Sequence, residues 1–196
     1  MKRIFDMVVS GIGLVCLSPM FLLLAIWIKI DTSGPIFYRQ SRVGKCGKDF
    51  WLYKFRSMKT DADKKGLITI GGRDPRVTRS GYYIRKYKLD EFPQLINVFI
   101  GDMSFVGPRP EVRKYVDFYT PEQKQVLSVR PGITDMASVK YRNENEILGK
   151  VDNPEAYYRT VILQDKLKIN QEYLNKSSFW FDILLIIKTI GAIIKK

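Results

Sequence analysis

Two adjacent carboxylates, Asp90 and Glu91, follow a cationic run (Arg85, Lys86, Lys88) and precede a short apolar stretch opened by Phe92-Pro93. Soon after comes Asp102-Met103-Ser104-Phe105-Val106-Gly107-Pro108-Arg109-Pro110. A carboxylate that can attack phosphorus or hold Mg²⁺, a second acid beside it and cations for phosphate are the groups phosphoryl transfer uses. Neighbouring residues on a helix point about 100° apart, so Asp90 and Glu91 are expected to have separate roles. If Asp90 opens a helix, the helix dipole favours its ionised form, as do Arg85 and Lys88. Taken alone, such a pair is more often only a helix cap. In Gly107-Pro108-Arg109-Pro110 the prolines fix φ on both sides of Arg109 and aim it toward an anion. Taken alone, that turn would merely end one element and start a helix near Glu111.

The elements that must position these groups follow from local pattern. Residues 36–40 and 50–55 read as short strands joined through Gly44-Lys45-Cys46-Gly47-Lys48, a small β-hairpin. Residues 60–79, with Gly66, Gly71 and Gly72, read as a mobile polar loop. Ser80 is placed to cap a helix running through Tyr82, Ile84 and Tyr87. The next helix is predicted to start at Leu89 or Asp90, with Pro93 tolerated in its first turn. It would bury Leu95, Ile96, Val98 and Phe99 and end at Gly101. Thr120 caps a further helix over 121–128, and 155–174 has apolar residues near helical spacing.

Residues 7–28 carry no charge. At about 1.5 Å per residue that length would just cross a ~30 Å hydrocarbon layer. Ser18-Pro19 interrupts it: Pro19 removes one helical hydrogen bond, and the Ser18 hydroxyl can bond a carbonyl there. Cations flank both sides, Lys2 and Arg3 before, Lys29, Arg39, Arg42, Lys45 and Lys48 after. The positive-inside tendency would hold both flanks in the cytoplasm. The residues leave a kinked span and a re-entrant helix-break-helix both open. The C-terminal segment, 178–196, is apolar but interrupted by Asp182, Lys188, Thr189 and Lys195, and starts with Phe179, Trp180 and Phe181. It suits a helix lying in a membrane interface, or one packed in a protein core.

The chain has 196 residues and a formal net charge of +13, so it can bury one sizeable core and favours an anionic partner such as phospholipid headgroups or nucleotide phosphates. It has no His, which excludes His-based general-base catalysis and His metal ligands. Cys16 and Cys46 provide neither a disulfide framework nor a zinc site. No recognition motif points to nucleic acid.

LDEFPQLINVFIGDMSFVGPRPE resembles the signature of the bacterial sugar transferases, the monotopic phosphoglycosyl transferases. The likeness continues in Lys2-Arg3-Ile4-Phe5-Asp6, Leu17-Ser18-Pro19, Tyr53-Lys54-Phe55-Arg56-Ser57-Met58 and Arg130-Pro131-Gly132-Ile133-Thr134. It implies an α+β, mainly helical fold with a re-entrant membrane helix broken at Ser18-Pro19 (1–30), a cytoplasmic catalytic domain (31–178) and an interfacial C-terminal helix (179–196), on the cytoplasmic face of a bacterial inner membrane. It implies transfer of a sugar 1-phosphate from a UDP-sugar to polyprenyl phosphate, with UMP released. Asp90 would be the nucleophile, Glu91 its metal-binding or proton-handling partner, and Mg²⁺ the cofactor held by both. Arg56, Arg85, Lys88, Arg109, Pro110 and Arg130 would contact substrate; a homodimer is allowed. One departure stands out. Where many members resemble Gly-Trp or Gly-Leu followed by Gln-Val, this chain has Asp135-Met136-Ala137-Ser138-Val139, so sugar identity is not legible. The contrasting reading is a non-catalytic, membrane-anchored nucleotide-binding or scaffold protein, which leaves the dyad without a purpose.

Overall fold

The computed structural model describes residues 1–62, 66 and 74–194. Its architecture is mainly helical, with two small two-stranded sheets. Helix α1 (Lys2–Asp31) is a single run of 30 residues with Pro19 inside it, about 45 Å at helical rise. Ser18 does bond a carbonyl, its hydroxyl donating to Val15 O at 2.8 Å. One stripe of α1 faces the protein along its whole length. Asp6, Ser10, Leu24 and Ile28 are buried, and Gly13, Leu17, Met20 and Asp31 are partly so. The spacing of three and four residues is that of one helical face. The opposite stripe (Ile12, Val15, Leu22, Leu23, Ile26, Ile30) is exposed and apolar. Among the described residues α1 is the one helix long and apolar enough to cross a membrane.

Strands β1 (Phe37–Val43) and β2 (Asp49–Phe55) form the predicted antiparallel hairpin, in register from Phe37 opposite Phe55 to Val43 opposite Asp49. The turn takes left-handed backbone at Cys46 (φ 56°) and Gly47 (φ 74°). Of the loop expected over 60–79, residues 63–65 and 67–73 lie outside the described residues. Its flanks meet in a bridge between Met58 and Val77. Helix α2 (Arg79–Lys86) is capped by Thr78, whose hydroxyl accepts from Gly81 N at 3.0 Å. This corrects the expectation for Ser80, which lies inside the helix and donates from N and Oγ to Asp31 Oδ2 at 2.9 and 2.8 Å.

Asp90 does not open a helix either. Residues Leu89–Glu91 form a 3₁₀ turn entered through left-handed Lys88, and α3 (Gln94–Ile100) begins after Pro93. α3 ends at Gly101 (φ 99°), as its sequence indicated. Its buried face is Gln94, Asn97 and Val98; of the predicted apolar set Val98 is buried, Leu95 and Ile96 are partly so, and Phe99 is exposed. Asn97 explains the difference: its amide donates to Trp51 O at 2.7 Å and accepts from Tyr53 N at 3.0 Å, which stitches α3 to β2. A buried amide is tolerated when both halves are bonded.

A second sheet, absent from the sequence reading, pairs β3 (Ser104–Val106) with β4 (Gly132–Thr134) in parallel. The largest apolar cluster joins α4 (Arg113–Val116), a 3₁₀ segment (Gln123–Ser128) and α8 (Leu163–Lys176), through Tyr115, Val116, Val126, Leu163 and Leu167. Helices α6 (Glu144–Leu148) and α7 (Pro154–Tyr157), the latter continued by a π turn (Tyr158–Ile162), complete it, and α5 (Met136–Lys140) lies beside α8. Helix α9 (Phe179–Ile194) lays Leu185 and Phe181 on Val106 and Tyr173 while Trp180, Leu184 and Ile187 stay exposed. Lys2 ties this region to the start of α1, donating to Val106 O at 2.8 Å and Asp182 Oδ2 at 2.6 Å.

Candidate active site

The 3₁₀ turn carries its two carboxylates into different surroundings. Asp90 is buried yet lines a cavity of about 1110 Å³, and its Oδ1 has no hydrogen-bond partner. Glu91 turns away into a clamp of cations. Arg109 donates Nη1 to Glu91 Oε2 at 3.4 Å and Nη2 to Oε1, and Lys54 Nζ lies 3.4 Å from Oε1. The two side chains thus point into different surroundings, as expected of neighbours in the chain. Electrostatics diverge accordingly. Burial pushes the Asp90 carboxyl up, opposed by the Lys54 ammonium and reinforced by the Glu91 charge. Burial would push Glu91 up too, but Arg109 and then Lys54 outweigh it and hold its carboxyl well below the usual range. Neighbouring carboxyls driven apart in this way are a mark of divided acid–base labour. The dipole argument for an ionised Asp90 gives way to burial, because no helix starts there.

Arg109 is fixed from three sides. Its guanidinium also donates to Ile133 O at 3.3 Å, and its backbone N donates to Asp135 Oδ2 at 3.2 Å. Asp135 Oδ1 accepts from Ser138 N at 2.6 Å and so caps α5. The departure at residue 135 therefore supports the arginine turn. Close backbone approach builds the same turn: a Cβ on Gly107 would lie 2.4 Å from Arg130 O, and one on Gly132 2.2 Å from Gly107 N. Only residues without a side chain fit at these two points.

Of the other candidates, Arg85 lines the cavity with Asp90. Lys88 acts on both carboxyls through its charge. Arg56 also borders the cavity, but its guanidinium donates to Thr32 O at 2.7 Å, Ile28 O at 3.5 Å and Ser33 O. It closes the C-terminal end of α1. Arg130 sits apart, with Nε donating to Gly101 O at 2.8 Å. Pro110 offers its carbonyl to Arg42 Nη1 at 2.8 Å. The sequence reading missed Lys54 as a site residue. A signal existed: it shares strand parity with buried Leu52, and a lysine on the inward side of a strand needs an anion.

For Mg²⁺, Asp90 offers a free buried oxygen, whereas both Glu91 oxygens are engaged by Arg109 and Lys54. Among the described residues no group of three or more carboxylate, Cys or His side chains is assembled. Mg²⁺ is commonly held by one or two carboxylates together with substrate phosphates, and the residues here fit that kind of site.

A family model described as bacterial sugar transferase matches residues 1–196. The chain belongs to that family. Among its relatives, the UDP-N-acetylgalactosamine-undecaprenyl-phosphate N-acetylgalactosaminephosphotransferase of Aeromonas hydrophila is 37% identical over 198 residues, covering 98% of this chain and 43% of that protein. The UDP-glucose:undecaprenyl-phosphate glucose-1-phosphate transferase of Escherichia coli K12 is 34% identical over 97% of this chain and 39% of its own length. A putative undecaprenyl-phosphate N-acetylgalactosaminyl 1-phosphate transferase of Bacillus subtilis is 44% identical over 77% of this chain and 81% of its own. This bacterial sugar transferase therefore spans about two fifths of the length of the first two and matches most of the third.

Proposed function

We propose that this chain transfers a sugar 1-phosphate from a UDP-sugar to a polyprenyl phosphate such as undecaprenyl phosphate, the first membrane step of glycoconjugate synthesis. The observation that carries the proposal is Asp90: a buried carboxylate with an unpartnered oxygen on the wall of a large cation-lined cavity. The names of the family's relatives give the substrates. In the first step an Asp90 oxygen bonds the sugar-bearing phosphorus. The bond from that phosphorus to the bridging oxygen breaks, and its electron pair leaves with UMP. In the second step an oxygen of the polyprenyl phosphate bonds the same phosphorus, and the electron pair of the acyl-phosphate bond returns to Asp90. Glu91 stays anionic and holds Arg109 and Lys54 at the cavity wall, where they face the diphosphate. A bound Mg²⁺, with Asp90 and the substrate phosphates as ligands, would neutralise the diphosphate.

We further propose a monotopic arrangement at the cytoplasmic face of the bacterial inner membrane, the exposed stripe of α1 lying among phospholipid tails and α9 in the interface. Three parts result: membrane helix (1–30), catalytic domain (31–178) and interfacial helix (179–196). Support comes from both ends of α1. Arg3 Nη2 donates to Phe99 O at 2.7 Å and Asp6 Oδ1 accepts from Phe105 N at 3.2 Å, while Asp31 and Arg56 bind the other end. A straight span would strip one set of these bonds; a re-entrant or in-plane helix keeps both.

Purified protein in lipid nanodiscs, given polyprenyl phosphate and a panel of labelled UDP-sugars, tests the activity: a lipid-linked diphosphate sugar and stoichiometric UMP are expected. Absence of both with every sugar would refute it. For topology, exposed Cys46 and a cysteine in an N-terminal tag, in a Cys16→Ser background, should react with impermeant reagent from the same side; opposite sides would refute the arrangement.

A further inference from the structure

The cavity in front of Asp90 is somewhat larger than the ~300–1,000 Å³ typical of small-molecule sites, at about 1110 Å³, and its two ends differ in chemistry. Strand β1 runs along it. At one end Arg56 N bonds Ile36 O beside the C-terminal end of α1; at the other Val43 N bonds Glu111 O. The seven residues of β1 span roughly 20 Å. The first end carries Lys29, Arg39 and Arg85. The second carries Arg42, Glu111, Glu144, Asn145, Tyr158 and Lys166, with Arg42 Nη1 3.9 Å from Glu111 Oε1.

The second end is a preorganised set of alternating acceptors and donors. The Tyr158 hydroxyl donates to Glu111 Oε1 at 2.6 Å, and Glu111 Oε2 accepts from Val112 N at 3.1 Å. Lys166 pairs with Glu144 and holds its ammonium 5.2 Å from the centroid of the Tyr158 ring. Asn145, exposed next to Glu144, presents both an amide donor and an acceptor. An ionised carboxylate has about four lone-pair sites, so these contacts leave both carboxylates able to accept from hydroxyls. Arg42 and Lys166 offset these two carboxylates, so this end has no net positive charge with which to hold a phosphate. A neutral group rich in hydroxyls suits them.

The direction of displacement says which part of the donor that is. Asp90 attacks phosphorus opposite the departing UMP, and the acceptor must then attack opposite the departing Asp90. UMP and the acceptor phosphate therefore use the same side of the phosphorus in turn. Both are anionic, and the cationic end beside the apolar stripe of α1 suits both. The sugar stays on phosphorus through both steps and needs a place of its own. Resting on the transferase reading above, we propose that the Glu111–Tyr158 end of the cavity holds the donor's glycosyl group, and that Tyr158, Asn145 and the Glu144–Lys166 pair select the sugar.

The test compares wild type, Tyr158→Phe and Asn145→Ala on UDP-glucose, UDP-galactose, UDP-N-acetylglucosamine and UDP-N-acetylgalactosamine, with UMP as competing inhibitor. Removing one hydrogen bond to a sugar hydroxyl should change the kcat/KM ratio between the best and next-best donors about tenfold. Inhibition by UMP should stay within about twofold. Asn145 is exposed, so its variant folds even if Tyr158→Phe perturbs packing. Equal losses on all four donors in both variants, or weakened UMP binding with unchanged ratios, would overturn the assignment and place the nucleoside at this end. Lack of UMP release by wild type with any donor would instead overturn the transferase reading, and the assignment with it.

Discussion

Replacing Glu91 by Gln tests the central electrostatic claim, that this carboxylate is the counter-charge for Arg109 and Lys54. The substitution keeps shape and removes charge, leaving two cations facing each other across a poorly solvated pocket. Breaking a fully buried pair costs about 3–5 kcal/mol, and an exposed one about 0–1 kcal/mol. Here the side chains are 17% (Glu91), 33% (Arg109) and 20% (Lys54) exposed, so the loss should fall between, about 2–3 kcal/mol after allowance for screening. For a chain of this size each kcal/mol moves Tm by about 2–4 °C, so a fall of about 5–10 °C is expected. The pH dependence has a definite sign. The folded Glu91 carboxyl lies below its ordinary value of 4.5, so its stabilisation is fully present above that value and disappears as pH falls through the folded one. The gap between wild type and Glu91→Gln should therefore be full at neutral pH and narrow below about pH 4.5. The assay is thermal unfolding in nanodiscs, extended to a cycle with Arg109→Gln. In the double variant the loss should be clearly less than additive. A Tm within 1 °C of wild type, or strictly additive losses, would refute the clamp.

Asp90→Asn should abolish turnover without lowering Tm at neutral pH. The folded Asp90 carboxyl is raised, so its contribution to stability is present below the ordinary value and lost as pH rises through the folded one; retained turnover would remove Asp90 from the chemistry. Because Asp90 must be ionised to attack, kcat should rise with pH, and Lys54→Met should move that limb to higher pH, since Lys54 pulls the Asp90 carboxyl down; a shift to lower pH would contradict this. Arg56→Met should cost about 2 kcal/mol by uncapping the end of α1, read as faster amide exchange at residues 28–33; unchanged exchange there would return Arg56 to the substrate-contact group. Gly132→Ala should cost about 3 kcal/mol, because the methyl meets the backbone of Gly107, which cannot rotate aside; near-native Tm would show that the two strands can separate freely.

What the sequence disclosed is what short-range physics decides. The hairpin is two short segments rich in aromatic residues around a glycine-bearing turn, and Gly101 ends α3 because the chain there needs positive φ. Asp90 and Glu91 stood out through the motif around them, since alone such a pair is more often a helix cap, and their surroundings were not legible. The strands β3 and β4 are three residues each, too short to show alternation, and they pair across the chain. Asn97 is polar yet buried, because its partners on β2, Trp51 O and Tyr53 N, are distant in sequence. Arg56 stood out by its place in the family motif; the carbonyls that claim it, of Ile28, Thr32 and Ser33, lie at and just beyond the end of α1. Charge is written locally, and the partner of a charge is not.

The contacts of α1 also bear on the proposed lipid substrate. Leu24 and Ile28 pack with Phe55 and Ile84, and Leu89 packs against that cluster. Leu89 is the residue before Asp90. Asp31 holds the start of α2, and Arg56 joins the end of α1 to the strand that carries Lys54. Asp90 is thus positioned by direct packing of its neighbour Leu89 on the helix whose outer stripe is apolar. If that stripe sits in the bilayer, the height of Asp90 above it is fixed by the fold. A polyprenyl phosphate, whose phosphate sits at the headgroup level, can then reach Asp90 without leaving the membrane, while a soluble nucleotide sugar approaches from the water side.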